Sequence, residues 1–144
     1  MRLTKFTDYS LRILILAASA PDRNFTISEA AKLYGISAPH LKKVVRTLSR
    51  EGYLQGTRGR SGGFRLGRPA EEINLGAVIR VTEPDFDMVE CFSPEGTCVI
   101  SPICRLPKII DRALEAMLVV FDDYTLSDIT LRNGLHQLLL TEDN

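Results

Sequence analysis

Residues 26–51 read TISEAAKLYGISAPHLKKVVRTLSRE, and this stretch decides the fold. Its first four residues form a capping box, in which the Thr26 hydroxyl accepts from the backbone of Glu29 and the Glu29 carboxylate reaches back. The short helix that starts there is expected to end at Gly35, because glycine adopts the left-handed turn that closes a helix. A second helix follows the capping residue Ser37, with Pro39 in its first turn, where a missing N–H costs little. Two short helices joined by a tight glycine-containing turn are typical of a helix-turn-helix.

The second of these helices has an apolar side and a basic side. Leu41, Val44 and Leu48 recur at helical spacing and predict the buried side. The opposite side is expected to contact the bases or phosphates of DNA. A helical hairpin that packs against another protein is the alternative, but a wing and a basic first half favour DNA binding. The candidate DNA contacts on this helix are Ser37, Pro39, His40, Lys42, Lys43 and Arg46.

A β-hairpin with a glycine-rich tip is predicted directly after the second helix. Residues 57–63 read TRGRSGG and lie between two short apolar segments. A hairpin appended to a helix-turn-helix is a wing, and Arg58, Arg60 and Ser61 could enter a minor groove or hold phosphates there. The order strand, loop, strand argues against a nucleotide-binding loop, which would lead into a helix.

The charge of the chain is divided between its two halves. Residues 1–70 contain 13 Lys/Arg and 4 Asp/Glu, whereas residues 71–144 contain 5 and 14. Basic surface can simply be solvated, but together with the motif it indicates that the first half faces a polyanion. With a first helix predicted over residues 7–20 and capped by Thr7, residues 1–70 are expected to form a winged helix-turn-helix domain.

The second half is predicted to contain a linker and a long helix. Within residues 71–104, a short helix over residues 73–81 precedes an irregular segment with three prolines. In residues 105–144, apolar residues at heptad spacing predict either a core helix or a dimerisation helix. A small winged helix has little else to cover so wide a stripe, so a homodimer is favoured, which also matches operator palindromy. The heptad residues are Leu106, Ile110, Ala113, Met117, Val120 and Tyr124.

Composition sets broad limits on the class of protein. A content of 44% hydrophobic and 25% charged residues is ordinary for a globular chain that is mainly α with a small β-hairpin wing. The apolar stretch at residues 11–20 contains Arg12 and is too short to span a bilayer, so no membrane partner is expected. We expect a cytoplasmic protein, and no nucleophile and base are placed together as an enzyme would need.

The chain has three cysteines, Cys91, Cys98 and Cys104, all within one short segment. Four interpretations are open: buried structural thiols, a zinc site, a thiol redox protein and an iron–sulfur cluster. The spacing lacks the Cys-x-x-Cys pairs of common zinc sites and thiol oxidoreductases. A cluster uses thiolates and needs a fourth ligand. Soft ligands beside a DNA-binding domain favour a metal or redox sensor.

Motifs along the whole chain resemble one known family. They are MRLT at residues 1–4 with Asp8-Tyr9, GIS at residues 35–37, the glycine pattern of residues 58–67 and the three late cysteines. Together they are similar to the Rrf-type iron–sulfur winged-helix regulators. Residues 98–106 and 123–128 are most similar to the nitric-oxide-sensing branch of that family. The branch that monitors cluster assembly has a histidine three residues past its last cysteine, where this chain has Pro107.

The resemblance implies a cofactor, a partner and a signal. It implies a homodimer with one iron–sulfur cluster per protomer, 4Fe–4S rather than 2Fe–2S, held by the three cysteines. It also implies that Asp8 of the partner chain is the fourth ligand, although an acidic residue near a helix N-terminus also stabilises the helix dipole. His40 and His136 are less well placed. The expected function is a DNA-binding repressor released by nitric oxide, and the alternative is a regulator that senses iron or cluster status.

Overall fold

The computed structural model describes residues 2–57 and 62–131 of the chain. These residues form helices and one two-stranded antiparallel sheet, with short 3-10 turns at Ala70–Glu72, Glu90–Phe92 and Leu126–Ile129. The order is α1 (Lys5–Ser19), α2 (Ile27–Tyr34), α3 (Ala38–Arg50), β1 (Leu54–Thr57), β2 (Gly63–Leu66), α4 (Leu75–Thr82) and α5 (Leu106–Asp122). No helix in these ranges is long and apolar enough to cross a membrane.

Helix α1 runs through the core and begins earlier than predicted. Thr4, not Thr7, is its N-cap: the Thr4 hydroxyl accepts from the backbone N–H of Thr7 at 3.3 Å. Thr7 lies in the first turn and is fully buried, as are Ile13 and Leu14 further along. The prediction was wrong because either threonine can cap a helix. The apolar residues that define the helical spacing begin only in the second turn of α1, so they do not show which of the two threonines is the cap.

The helix-turn-helix forms as predicted. Thr26 donates its N–H to the Glu29 carboxylate at 2.7 Å, and Glu29 donates its own N–H to the Thr26 hydroxyl at 3.1 Å. The backbone hydrogen bond from Thr26 holds the pKa of Glu29 below its ordinary value. Gly35 ends α2 at φ 62°, a conformation that favours glycine. Ser37 holds the N-cap position of α3 as predicted, but its hydroxyl makes no capping bond and contacts His40 Nδ1 at 2.9 Å instead.

The wing is an antiparallel hairpin that is joined to the core by Phe25. Gly56 pairs with Phe64 across the two strands. The backbone of Phe25 pairs with β2 from the other side. Its N–H donates to the Phe64 carbonyl at 2.9 Å, and its carbonyl accepts from the Phe64 N–H at 2.8 Å. A side chain at Gly63 would overlap the Phe25 carbonyl. The hairpin therefore stands at a fixed angle to the helix-turn-helix.

Helix α4 begins two residues later than predicted, because Asn74 caps it by accepting from the Ala77 N–H at 3.0 Å. Residues 83–104 are irregular apart from short turns, as predicted. Helix α5 packs on α4, where Arg80 donates to Asp122 at 2.8 Å. Tyr124 was expected on the long helix, and that was wrong: α5 ends at Asp122, and the Tyr124 carbonyl accepts from Leu75 at 3.0 Å. Tyr124 bonds instead to the backbone N–H of Leu75, the first residue of α4. The spacing of apolar residues cannot reveal such a contact.

Candidate functional site

Helix α3 presents its candidate DNA contacts on one exposed side. Leu41, Val44 and Leu48 are fully buried beneath it. All the predicted residues of this helix are exposed to solvent, and positions 39, 42, 43 and 46 share one face by helical spacing. The structure therefore groups Pro39, Lys42, Lys43 and Arg46 on one face, and Ser37 and His40 are exposed beside each other at the N-terminal end of the helix.

The basic residues of this face have no carboxylate partner among the described residues. Across residues 2–57 and 62–131, neither Lys42, Lys43 nor Arg46 forms an ion pair, whereas Arg50 pairs with Glu51 at 3.0 Å. Lys43 places its Nζ 5.8 Å from the ring centre of Phe6, an attractive contact that leaves the positive charge in place. Such uncompensated charge suits phosphate contacts.

The wing adds a further arginine that the sequence did not single out. The predicted contacts Arg58, Arg60 and Ser61 lie outside the described residues. Arg65 lies on β2, is exposed, and donates to the Gln55 side chain on β1 at 3.1 Å. Its position next to buried Phe64 in an alternating strand is the signal that could have identified it.

The cysteine segment, residues 91–104, contains three free and half-buried thiols. Glu90 joins the two ends of the loop between Cys91 and Cys98. Its carboxylate accepts from the Thr97 N–H at 3.1 Å and from the Thr97 hydroxyl at 2.9 Å. The bond from the Thr97 backbone lowers the pKa of Glu90. A side chain at Gly96 would overlap the Glu90 carbonyl. The sequence therefore builds a folded turn between Cys91 and Cys98.

The ligand types of the cysteine segment fit an iron–sulfur cluster, but in one chain the ligands do not surround a common position. Three thiolates are the ligands that clusters use, and none of them is held in a disulfide. Within the described ranges, however, no three His, Cys, Asp or Glu side chains surround a common metal position. The residues present are thus suited to a cluster by type, and no ligand geometry is assigned.

Asp8, the expected fourth ligand, lies in the first turn of α1. Its carboxylate pairs with Arg12 at 2.8 Å and remains 46% exposed. It does not join the cysteines in a ligand group within the described part of one chain. The helix dipole and Arg12 together give it a structural role.

The long helix leaves an apolar face uncovered. Leu118 packs inward, but Ile109 is 63% exposed and Val120 is 57% exposed. Leu106 extends this face toward the cysteine segment, in which Val99 and Ile103 are also exposed. Exposed large apolar side chains that share one helix face are typical of an interaction site.

Comparison with known proteins shows the family. Residues 3–132 match the protein family described as "Rrf2: Iron-dependent Transcriptional regulator". The chain belongs to the Rrf2 family. It is 50% identical over 131 residues to the HTH-type transcriptional regulator NsrR of Bacillus subtilis, covering 90% of each chain. It is 48% identical over 143 residues to NsrR of Bacillus licheniformis, covering 98% of this chain and 100% of the relative.

Solved structures agree with this assignment. The oxidized form of Staphylococcus aureus CymR is 26% identical, with a TM-score of 0.70, and the match covers 88% of this chain and 93% of CymR. T. potens IscR is 21% identical, with a TM-score of 0.71 over 90% of this chain and 85% of IscR, a likeness of fold. The predicted fold class and family are confirmed. The chain is a transcriptional regulator and not an enzyme, as predicted.

Proposed function

We propose that this chain is a dimeric repressor that binds operator DNA and is released from it when nitric oxide reacts with an iron–sulfur cluster. The observation that carries the proposal is the cysteine segment: three free, half-buried thiols lie within residues 91–104 of a chain whose first half is a basic winged helix. The relatives named NsrR, matched over nearly the whole chain, support the same function. A regulator of this kind would act in the cytoplasm.

The DNA-binding part of the proposal rests on α3 and the wing. Lys42, Lys43 and Arg46 are exposed on one face without carboxylate partners among the described residues. Arginine and lysine side chains of a recognition helix reach phosphates and the edges of guanine in the major groove. Arg58, Arg60 and Ser61 are proposed to contact DNA from the tip of the wing. Residues 1–70 then form the DNA-binding domain.

The dimer is proposed to form through α5. Its exposed apolar residues would lose water contact against the same face of a second copy, as in a two-fold interface. Two recognition helices related by such an axis match two half-sites of a palindromic operator. Residues 105–144 then serve dimerisation, and residues 71–104 connect it to the DNA-binding domain.

The cluster is proposed to be held by Cys91, Cys98 and Cys104, with Asp8 of the partner subunit as fourth ligand. When bound, the cluster supplies iron to which nitric oxide can add. The three thiolates come from a segment next to α5, whereas Asp8 belongs to α1 of the DNA-binding domain. A ligand set drawn from both would fix the DNA-binding domain relative to the dimer helix. To bind iron, Asp8 has to exchange its ion pair with Arg12.

A second candidate is a regulator of the same fold that senses iron supply or cluster status. The family description, "Iron-dependent Transcriptional regulator", favours it. The two functions differ in the signal that releases DNA. Iron depletion without nitric oxide would release this second type, whereas nitric oxide at constant iron would release the first.

The proposed function is tested with Cys98→Ala, prepared without oxygen beside the unmodified protein. The variant is expected to be colourless and to bind operator DNA at least tenfold more weakly, since one thiolate ligand is missing. Ser101→Ala, an exposed hydroxyl in the same segment, is the matched control and should remain coloured. Operator affinity equal to that of the unmodified protein in a colourless Cys98→Ala would contradict the proposal.

A further inference from the structure

A carboxylate joins the start of the cysteine-bearing half to the first helix of the DNA-binding domain. Glu83, the residue after α4, accepts the backbone N–H of Thr4 at 2.7 Å. Its same oxygen accepts the Thr4 hydroxyl at 3.2 Å. Thr4 is the N-cap of α1, and 79 positions separate the two residues. No local sequence pattern indicates this contact.

The position of the carboxylate makes the contact strong. Hydrogen bonds to an ionised acceptor are roughly twice as strong as neutral ones. A negative charge is also stabilised at the N-terminus of a helix, where free N–H groups point outward. Glu83 is half-buried, so water competes less for its oxygens than at an exposed site. We therefore expect the bond to hold the first turn of α1 in position.

Both halves of the chain meet around this bond. Residues 2–4, residues 83–88 and two residues of α5, Leu114 and Met117, line one cavity of about 400 Å³. The N-cap of α1, the segment that follows Glu83 and α5 thus line the same cavity.

Helix α1 carries such a displacement to the recognition helix. Phe6, two residues after Thr4, holds the ammonium group of Lys43 over its ring at 5.8 Å. Helices α1 and α3 pack against each other. The Tyr34 hydroxyl also donates to the Arg12 carbonyl at 3.0 Å, which ties α2 to the same helix. Both helices of the helix-turn-helix therefore take their position from α1.

We propose that Glu83 is a positioning residue that couples the state of the cysteine segment to the recognition helix through the first turn of α1. The inference rests on the proposed function, because it assumes that the cysteine segment changes when the signal arrives. It adds a connection within one subunit, separate from any ligand exchanged between subunits. The two-state element is the first turn of α1, held by Glu83 in one state and released in the other.

The test compares Glu83→Ala and Glu83→Gln with the control Asp87→Ala, which removes one negative charge from the same segment. Asp87 is exposed and lies four residues further on. The first measurement is amide hydrogen exchange at residues 4–8 in cluster-free protein. We expect exchange about tenfold faster in Glu83→Ala, an intermediate rate in Glu83→Gln, whose amide oxygen still accepts, and no change in the control.

The second measurement is the ratio of operator dissociation constants between cluster-free and cluster-loaded protein. Glu83→Ala is expected to reduce this ratio about fivefold, and Asp87→Ala to leave it unchanged. A ratio equal to that of the unmodified protein, in a variant whose residues 4–8 exchange faster, shows a merely structural contact and overturns the coupling. Unchanged exchange overturns the contact itself.

Two further outcomes separate this inference from the function on which it rests. If the unmodified protein shows no difference in affinity between its two forms, the proposed function fails, and the coupling fails with it. If the unmodified protein shows the difference and Glu83→Gln and Glu83→Ala both retain it, only the coupling fails. Should Glu83→Ala not fold, the ratio of dissociation constants in Glu83→Gln decides the question: a value below that of the unmodified protein supports the coupling, and an unchanged value overturns it.

Discussion

The dimer interface on α5 can be tested with two adjacent valines. Val120 lies on the heptad stripe and is 57% exposed, whereas Val119 is 56% exposed and points about 100° away around the helix. Replacing each by lysine changes the same residue type at nearly equal exposure. We expect Val120→Lys to weaken the dimer and Val119→Lys to leave it nearly unchanged.

The expected effect follows from the exposed area of Val120. Full burial of a valine side chain contributes roughly 1.5 kcal/mol at the low end of measured values. In one chain 57% of Val120 is still exposed. Burying that remaining surface in the interface would therefore stabilise the dimer by roughly 0.9 kcal/mol per copy. Two copies meet at a two-fold axis, so about 1.8 kcal/mol is lost, which corresponds to a dimer dissociation constant about 20-fold higher. Burying the lysine charge adds to this minimum.

Sedimentation equilibrium over a concentration series measures the dimer dissociation constant of each variant. Thermal unfolding serves as control, because both valines are exposed in one chain and neither change should prevent folding. Equal weakening by the two substitutions, or none by either, would refute the assignment of the heptad stripe as the interface.

Three further predictions concern the wing, the capping box and the DNA face. Gly63→Ala should destabilise the fold by about 1–3 kcal/mol in urea unfolding, because its Cβ would overlap the Phe25 carbonyl. Gly56→Ala on the opposite strand, with open space around it, is the control and should cost much less. Glu29→Gln should lower the melting temperature at neutral pH. The pKa of Glu29 is lower in the folded protein than its ordinary value of 4.5, so the ionised carboxylate stabilises the fold above that pH. This stability is lost as the pH falls through the pKa of the folded state. The difference in melting temperature between the two proteins should therefore shrink in acid. If Arg46 contacts a phosphate, Arg46→Ala should weaken binding to all DNA sequences and reduce the slope of the logarithm of the binding constant against the logarithm of salt concentration by about one. If Arg46 contacts a guanine, the same change should relax specificity at one base pair.

The elements that local signals define were predictable from the sequence. The capping box at Thr26 and Glu29, the glycine turn at Gly35 and the alternation around Phe64 each depend on residues a few positions apart. Such signals need no knowledge of the rest of the fold. They sufficed to place the recognition helix and the wing, and hence the exposed basic face.

Contacts between distant segments could not be predicted. The start of α1 at Thr4 depends in part on Glu83, and the end of α5 depends on bonds from Asn74 and Leu75. Asp122 is held by Arg80, whose hydrogen bonds lower the pKa of that carboxyl. These bonds join residues that only the folded chain brings together, so no periodicity reveals them. The candidate cluster site has the same difficulty, since its proposed fourth ligand belongs to another subunit.

The central claim is that the cysteine segment holds a cluster whose reaction with nitric oxide controls DNA binding. The most direct test is to purify the protein without oxygen, count its iron and sulfide, and titrate it with nitric oxide while absorption and operator binding are followed in the same sample. We expect a brown protein with about four irons per chain that loses its cluster absorption and its operator together. A protein that stays colourless after reconstitution, or that loses its cluster absorption while operator binding is unchanged, would contradict the account.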